Sequence, residues 1–478
     1  MLILLLAIIA ALAYVITFAY CLPVEASIYA FIVTTFLFPN WGTSYFGVGE
    51  LPAFFFVELV AGLTILLAMV RQPVRRRIAP ADRTEWMIAG LFAFTIAFHY
   101  LVYWPLKYLG YYPSTEASVA ITIVYFVKTC VQLIFLYGCV MFIRTIAQME
   151  RACWLFVFCG IELFLEWISF NVLHIVPQIG QFAFDERGRF KSLAENDPLA
   201  VGVFSSVAAL CALYFAAAKK RTTLLLAVPV LLVPAMGIHQ RTFVLCAALA
   251  VTFFVWKVAR GRRRAVAVCG CGIAMGALLW TGPDLEADLA SWYEGTWRDA
   301  GPRSVGVDPF STDQLASRRG LQARGLDVFL TLFPFGTGEF LARYYLSCEA
   351  IPPIFEPAGT LAAFTYLQAV TGRKVTELHS GYLEHVVSYG LAGMISLAAF
   401  VGIIIRNYYS YRSTGRRPAV YALTYAVLIF FCVLHLFYSY PKIYVVYLLF
   451  FHNTFLLLQP TDVRRASRER ACGTTGCS

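Results

Sequence analysis

The stretch Glu377-Leu378-His379-Ser380-Gly381-Tyr382-Leu383-Glu384-His385 is the point where a long polar segment of this chain meets an apolar one. The polar segment begins at Gly282-Pro283-Asp284 and runs to residue 381. On either side of it the chain is a succession of apolar windows. Loops that a rigid scaffold holds in place commonly carry function. We therefore expect the functional site to face this polar segment and its junction with the apolar stretch.

The composition excludes a water-soluble fold. Hydrophobic residues make up 60% of the chain and charged residues only 14%, whereas soluble domains carry roughly 25% charged residues. Apolar windows of about 20 residues recur, and each is long enough to cross a hydrocarbon core of roughly 30 Å. The sequence predicts an all-α, polytopic transmembrane protein of about 12 or 13 spans with one large, partly helical periplasmic loop.

Basic residues orient the predicted spans. They form short clusters between the apolar windows, beginning at Arg71, Arg144, Lys219, Arg260, Arg406 and Arg464. Because short cytoplasmic loops carry an excess of Lys and Arg, we expect all of these loops on the cytoplasmic side. The predicted parts are N-terminal transmembrane helices over 1–281, the periplasmic loop over 282–381, C-terminal transmembrane helices over 382–460 and a cytoplasmic tail over 461–478.

This clustering also accounts for the net charge of +10. No basic patch is interleaved with aromatic residues, so the charge predicts no nucleic-acid partner. The 13 cysteines lie mostly inside predicted spans and show no C-x-x-C spacing. The sequence therefore predicts neither a zinc site nor a disulfide framework. Membrane lipids are the expected partners of the predicted spans.

Arg241 and His379 are the first candidates for chemistry. Arg241 lies between two predicted spans on the face that otherwise avoids isolated basic residues. It is either an arginine that snorkels at a helix end or a bidentate ligand for a phosphate or pyrophosphate. His379 lies at the same predicted level, at the bilayer surface. It is either an ordinary loop histidine or a general base for a hydroxyl nucleophile.

Further candidates lie in the polar segment and at its end. Arg318 and Arg319 form either a solvated helix start or a cationic arm that closes on an anionic leaving group. Glu384 lies close enough in sequence to orient or tune His379. Two glycines after Pro334, in Gly336-Thr337-Gly338, favour a tight turn over a phosphate loop.

Three ionisable residues inside predicted spans, Lys128, Glu162 and Glu166, leave a second kind of function open. Charge is costly there and suggests a role. Glu162 and Glu166 are four residues apart and share a helix face. A structural ion pair with Lys128 is the favoured interpretation, and a proton or ion path is the alternative.

In this order and spacing, the candidates resemble the motifs of the O-antigen ligase and Wzy-type polymerase family, bacterial membrane glycosyltransferases that use polyprenyl-pyrophosphate-linked glycans. The R-x-x-x-L element of that family matches Arg241 through Leu245. Its H-[NSQ]-x9-G-x-x-G element matches His379-Ser380 with Gly390 and Gly393. Arg319, followed by Pro334-Phe335-Gly336-Thr337-Gly338, looks like the arginine helix and P-x-x-G-x-G turn of the family. The resemblance covers about residues 185–405.

The resemblance implies transfer of the glycan from its polyprenyl-pyrophosphate donor to an acceptor sugar hydroxyl, on a glycan or on lipid A-core. This is the reaction of an O-antigen or exopolysaccharide polymerase or of an O-antigen ligase. It implies no metal and no cofactor, and an active site on the periplasmic face of a bacterial inner membrane. The implied roles are general base for His379, pyrophosphate stabilisation for Arg241 and Arg319, and substrate binding for Arg318, Ser380 and Glu384.

Other functions remain open at this point. A protein O-oligosaccharyltransferase of the same family would carry the same motifs. A polysaccharide transporter or flippase would use the ionisable residues inside the spans, although the sequence shows no repeat or matched pair of interrupted helices. A non-catalytic partner of an export complex would bind glycan without needing His379.

Overall fold

The computed structural model describes residues 2–37, 54–71, 80–97, 101, 116–173, 198–236, 241–259, 261, 318–337, 380–412, 418–437 and 444–459. All regular structure within these ranges is helical and none of it is strand. The predicted all-α class is therefore confirmed for this part of the chain.

The described helices follow the apolar windows. They are α1 (Leu2–Ile16), which continues into a π-helical turn (Thr17–Cys21), α2 (Glu25–Leu37), α3 (Phe54–Arg71), α4 (Pro80–Ala97), α5 (Glu116–Phe142), α6 (Ile146–Asn171), α7 (Pro198–Ala218), α8 (Leu224–Met236), α9 (Arg241–Val258), α10 (Arg318–Leu332), α11 (Gly381–Arg412), α12 (Pro418–Phe437) and α13 (Tyr444–Leu458).

Each predicted span that falls within the described ranges is a helix. Residues 265–281, at the end of the predicted N-terminal transmembrane region, and the predicted tail over 461–478 lie outside those ranges. Within them, four helices are long and apolar enough to cross a membrane, namely α6, α7, α11 and α12. The remaining apolar helices have shorter apolar stretches.

Helix α7 lies at the centre of the bundle. Every side chain from Ala200 to Ala212 is buried, and the helix packs against α6, α8, α9 and α12. Small residues bring these helices close together: a Cβ on Gly160 of α6 would lie 2.5 Å from the Cβ of Ala208 and 2.9 Å from a methyl of Leu231. Close packing of this kind is a main source of helix association in lipid, where no hydrophobic force joins the helices.

Hydrogen bonds show which helix ends lie together at one end of the bundle. Arg71, the last residue of α3, donates to the backbone carbonyls of Ala19, at 3.0 Å, and of Tyr20. The hydroxyl of Tyr29 donates to the carbonyl of Gln148 at 3.0 Å, which joins the start of α2 to the start of α6. The junction of α1 and α2 therefore lies at the same end as the C-terminus of α3.

Two further contacts extend this end across the bundle. The Nζ of Lys219 lies 2.9 Å from a carboxylate oxygen of Glu150, and the Nζ of Lys257 donates to the hydroxyl of Tyr408 at 2.9 Å. The basic clusters beginning at Lys219 and Arg260 thus border the same end as the clusters beginning at Arg71 and Arg144. We call it the basic end, and the opposite end, where α9 and α11 begin, the loop end.

A buried acid–base pair joins α4 to α13 near the basic end. The Nδ1 of His452 contacts a carboxylate oxygen of Glu85, and each residue is 1% exposed. The Nε2 of His452 faces the carbonyl of Ile143 at 2.7 Å. Because a carbonyl only accepts, Nε2 carries a hydrogen, and a second proton is shared between Nδ1 and the carboxylate. The pair ties α4, α13 and the C-terminal end of α5 together.

Candidate functional site

The N-termini of α9 and α11 both meet the C-terminal half of α12. In the first turn of α9, the Phe243 ring lies 6.4 Å from the ring of Phe430. In the first turn of α11, the hydroxyl of Tyr382 donates to the carbonyl of Cys432 at 3.0 Å. Lys257, at the other end of α9, lies 5.8 Å from the ring of Tyr421, near the start of α12. Helices α9 and α12 are therefore antiparallel, and the loop end is opposite to the basic end.

Arg241 is the first residue of α9, and Ser380 directly precedes α11. The structure therefore places these two predicted site positions at the same end of the bundle. The N-terminus of a helix carries a partial positive charge and unpaired N–H groups, which together favour an anion. Both features suit the phosphate-binding interpretation of this end. The side chain of Arg241 lies outside the described part of the structure.

Ser380 caps α11. Its carbonyl accepts a hydrogen bond from the backbone N–H of Glu384 at 2.9 Å, and its hydroxyl lies 3.5 Å from the backbone nitrogen of Leu383. Glu384 lies in the first turn, where a carboxylate interacts favourably with the helix dipole. Both residues thus help to begin the helix, and their contact with a substrate stays a prediction. His379 and residues 282–317 and 338–378 lie outside the described ranges.

Helix α11 is broken at Gly390, where the backbone adopts φ 58° and ψ −135°. A break of this kind frees backbone groups, which is costly near a bilayer unless other protein groups pair with them. The turn after α10 supplies those partners. The N–H of Thr337 donates to the carbonyl of Val387 at 2.9 Å, and the N–H of Leu391 donates to the carbonyl of Pro334 at 2.8 Å. We call residues 334–337 and 387–391 together the glycine lock.

Two glycines allow the two backbones of the lock to approach. Gly336 has a φ of 82°, and a Cβ there would lie 2.6–2.7 Å from backbone atoms of Val387, Ser388 and Gly390. A Cβ on Gly390 would lie 2.2 Å from the carbonyl oxygen of Pro334. Real Cβ atoms do not come so close to backbone atoms, so both positions require glycine. The tight turn predicted at Gly336 is confirmed, while Gly338 lies outside the described residues.

The lock joins the two glycine-containing motif segments that the sequence analysis singled out. They are 50 residues apart in the chain, and the structure puts them in backbone contact. One side continues back into α10 and the other into the start of α11. The lock therefore fixes the helix that begins with Arg318 against the helix that follows His379.

Helix α10 begins at Arg318, and a role of Arg318 and Arg319 as a cationic arm stays a prediction. Of these two arginines, the structure describes only the backbone. A helix of 15 residues is about 20 Å long, and the lock follows its C-terminal end, so the arginines lie about one helix length away from the lock. Spacing by seven residues places Arg318 in line with Gly325 and Leu332, and Arg319 in line with Leu326 and Phe333.

A cavity of about 70 Å³ opens beside the start of α11. Its walls are largely aromatic and come from α11, α12 and α13, with Tyr382, His385, Phe400, His435, Tyr447 and Leu448 among the lining residues. The Nε2 of His385 lies 3.1 Å from the Oγ of Ser396, which itself donates to the carbonyl of Gly393 at 3.0 Å. The hydroxyl of Ser396 therefore accepts from Nε2, and this nitrogen carries a hydrogen.

The sequence assigns no role to the cavity residues. His385 follows His379 by six residues, within the same stretch at the end of the polar segment, and that position is the signal that could have indicated it. His435 lies 50 residues further along, near the end of another span. Helices that are distant in sequence show their contacts only after folding, so the presence of both histidines in one cavity could not be predicted.

Two of the three ionisable residues inside spans contact each other. The side chains of Glu162 and Glu166 interact along α6, and their spacing predicted the shared helix face. Helix α6 packs against α2, α7, α8 and α13. The side chain of Lys128 lies outside the described part of the structure, and an ion pair between it and α6 stays a prediction.

No protein-family model matches the chain, and no curated protein matches it. The family resemblance therefore continues to depend on the motif residues themselves and on the way the structure arranges them.

Proposed function

We propose that this chain is a membrane glycosyltransferase of the O-antigen ligase and polymerase type, which moves a polyprenyl-pyrophosphate-linked glycan onto an acceptor sugar hydroxyl at the loop end of the bundle. The glycine lock is the observation that supports this most. The glycines of both motif segments allow the backbone contact that holds the arginine-bearing helix α10 against α11, the helix that follows His379. Helices whose only role was to span the membrane would not require this contact.

The proposed chemistry divides between a base and cations. His379 takes the proton of the acceptor hydroxyl as that oxygen attacks the anomeric carbon. The bond from that carbon to the pyrophosphate oxygen breaks, and the pyrophosphate leaves with its negative charge. Arg241 and Arg319 stabilise this charge, which grows as the bond breaks and is therefore bound most strongly in the transition state.

The position of Arg241 suits this role. A guanidinium pairs with phosphate oxygens in a bidentate fork, and the N-terminus of α9 adds its own partial positive charge at the same place. A lipid-linked pyrophosphate lies at the headgroup level of a bilayer, which is the level expected for the end of a spanning helix. No step in this scheme requires a metal or a cofactor.

The test compares glycans from a deletion strain that carries the wild-type gene, His379→Ala, Arg241→Ala, Arg406→Ala or an empty vector, at matched protein levels. Lipopolysaccharide, secreted polysaccharide and lipid-linked glycan are analysed together. We expect His379→Ala and Arg241→Ala to resemble the empty vector, since a general base alone contributes about 10²- to 10⁴-fold. Arg406 is an exposed arginine of α11 toward the basic end, and Arg406→Ala should keep the wild-type profile.

The missing product identifies the reaction. Single-repeat caps on lipid A-core indicate a polymerase, long chains left on the lipid carrier indicate a ligase, and an unglycosylated protein with intact polysaccharides indicates a protein O-oligosaccharyltransferase. Wild-type profiles from both His379→Ala and Arg241→Ala would overturn the catalytic proposal. Transport or a non-catalytic export role would then be favoured.

A second prediction separates the two arginines of α10. Arg319→Ala should remove product in the same assay, and Arg319→Lys should restore only part of it, because an ammonium lacks the planar fork. Arg318 is counted as a substrate-binding residue, so Arg318→Ala should cost less than Arg319→Ala. Equal activity of Arg319→Ala and the wild type would remove Arg319 from the site.

A further inference from the structure

Helix α10 has three distinct faces. Gly325, Val328, Phe329 and Leu332 are buried, and α11 is the helix against which α10 packs. A second face carries Leu326, Leu330 and Phe333, which are 49%, 63% and 46% exposed. A third face carries Asp327 and Thr331, which are also exposed. We call Leu326, Leu330 and Phe333 the apolar stripe.

The apolar stripe exposes three large apolar side chains next to one another, which is unfavourable in contact with water. Its residues are spaced four and three apart, so they form one continuous line on the helix. A contiguous apolar surface rimmed by polar residues usually marks contact with another molecule or with lipid. The polar line at Asp327 and Thr331 flanks the stripe, as in helices that lie at a membrane surface.

The stripe is continuous with the outer surface of a candidate span. The N–H of Leu391 in α11 donates to the carbonyl of Pro334 at 2.8 Å, directly after Phe333. Leu391, Met394 and Ile395 are exposed on α11, which is one of the four described helices able to cross a membrane. The exposed apolar surface of α11 and the apolar stripe of α10 therefore meet at the lock.

The depth of the lock along α11 agrees with an interfacial position. A hydrocarbon core of roughly 30 Å takes about 20 helical residues. Arg406 is exposed toward the basic end of α11, so counting back about 20 residues reaches the start of the lock. Val387 to Leu391 therefore lie at the boundary between hydrocarbon and headgroups at the loop end.

We propose that α10 is an interfacial helix whose apolar stripe lies among the lipid acyl chains beside α11, with Asp327 and Thr331 turned toward water. The occupant of this surface is the bilayer itself. The stripe holds α10 at a constant depth, and the lock holds it against α11.

This depth has a consequence for the reaction, which rests on the proposed function. Arg319 stands seven residues before Leu326, in line with the stripe, whereas Arg318 stands in line with the face that packs on α11. The helical register thus places Arg319 on the line that runs along the lipid. This is the level at which a lipid-linked pyrophosphate would be bound.

Lipid contact can be measured without the reaction. The full chain is reconstituted into liposomes after its 13 cysteines are replaced by Ala or Ser, and a nitroxide is attached at Leu330→Cys or at the matched control Asp327→Cys. Ile395→Cys on α11 serves as the lipid-facing reference. Collision rates are measured with oxygen, which partitions into lipid, and with a water-soluble nickel chelate.

We expect the ratio of oxygen to nickel collisions to be several-fold higher at position 330 than at position 327, and close to that at position 395. Equal nickel access at 330 and 327 would overturn the proposal, because the stripe would then face water. Shielding of position 330 from both reagents would also overturn it, because protein would then cover the stripe. Each labelled variant must keep the melting temperature of the cysteine-free parent, so that a folding failure is recognised.

The two proposals fail separately. A water-exposed stripe with an inactive His379→Ala variant would remove the interfacial helix and leave the glycosyltransferase in place. A lipid-embedded stripe with an active His379→Ala variant would do the reverse. Labelled protein that also carries His379→Ala should show the same collision ratio, since a loop histidine has no part in the depth of α10.

Discussion

For the proposed glycosyltransferase, Gly390→Ala should abolish the glycan product as completely as loss of the gene, and it should lower the melting temperature of the purified protein. A side chain at φ 58° and ψ −135° is strained by about 1–3 kcal/mol. The new Cβ would also lie 2.2 Å from the carbonyl oxygen of Pro334, so the two backbones must separate. The backbone hydrogen bonds from Thr337 to Val387 and from Leu391 to Pro334 would then be lost. Each buried polar group left unpaired lowers the free energy of unfolding by about 1–3 kcal/mol.

Two other glycines sharpen this experiment. Gly336→Ala should have the same effect from the other side of the lock, because its Cβ would meet backbone atoms of α11 at 2.6–2.7 Å. Gly402→Ala is the matched control: it lies in the same helix and its Cβ would meet nothing within 4 Å. Alanine also favours a helix interior over glycine by about 1 kcal/mol, so Gly402→Ala should keep or raise the melting temperature.

The measurement is the glycan profile at matched protein level, together with the melting temperature in detergent. If Gly390→Ala and Gly402→Ala gave the same profile and the same melting temperature, the lock would have no part in stability or activity. A Gly390→Ala protein that stayed folded but inactive would be the most informative result, because it would separate the placement of α10 from the stability of the bundle.

Breaking the buried pair between His452 and Glu85 should cause the second large loss. In His452→Leu the Glu85 carboxylate remains 1% exposed without its partner, and a buried charge left alone costs about 3–5 kcal/mol. The bond to the carbonyl of Ile143 is lost as well. We expect a marked fall in melting temperature and in the yield of folded protein from detergent extracts.

The double variant Glu85→Leu/His452→Leu tests the physical reason. Replacing both members of a buried ion pair by apolar residues is often neutral or stabilising, so the double variant should melt above either single variant. The exposed pair of Lys219 and Glu150, whose side chains are 46% and 21% exposed, provides the contrast. Lys219→Ala should cost about 0–1 kcal/mol, since solvent screens such pairs. A double variant that melts at or below both single variants would contradict this account.

The spans could be predicted because the property that makes them is local. A window of about 20 apolar residues favours a membrane-crossing helix whatever its neighbours are. Helices α7 and α12, for example, cover the apolar windows over 198–218 and 418–437. The location of Arg71 and Lys219 at one end was also predictable, because basic residues concentrate in the loops on one side of a membrane.

The buried pair shows where that kind of reasoning stops. Glu85 and His452 are 367 residues apart, and each looks ordinary in its own segment. Glu85 follows Arg83 closely, at the start of a predicted span, which is the usual position of a charge at a helix end. Only the packing of α4 against α13 shows that the carboxylate is buried and needs a partner.

The sequence by itself determined that the chain consists of apolar helices and that a polar segment ends near residue 381, where α11 begins. It also determined which residues near that segment are candidates for chemistry. The tertiary structure decided how those residues are held. Gly390 and Gly336 are visible in the sequence as glycines, but a glycine shows only that a backbone is free to bend. Only the tertiary structure shows that the turn after α10 packs against the break in α11. Each of these two segments supplies hydrogen-bond partners that the other lacks.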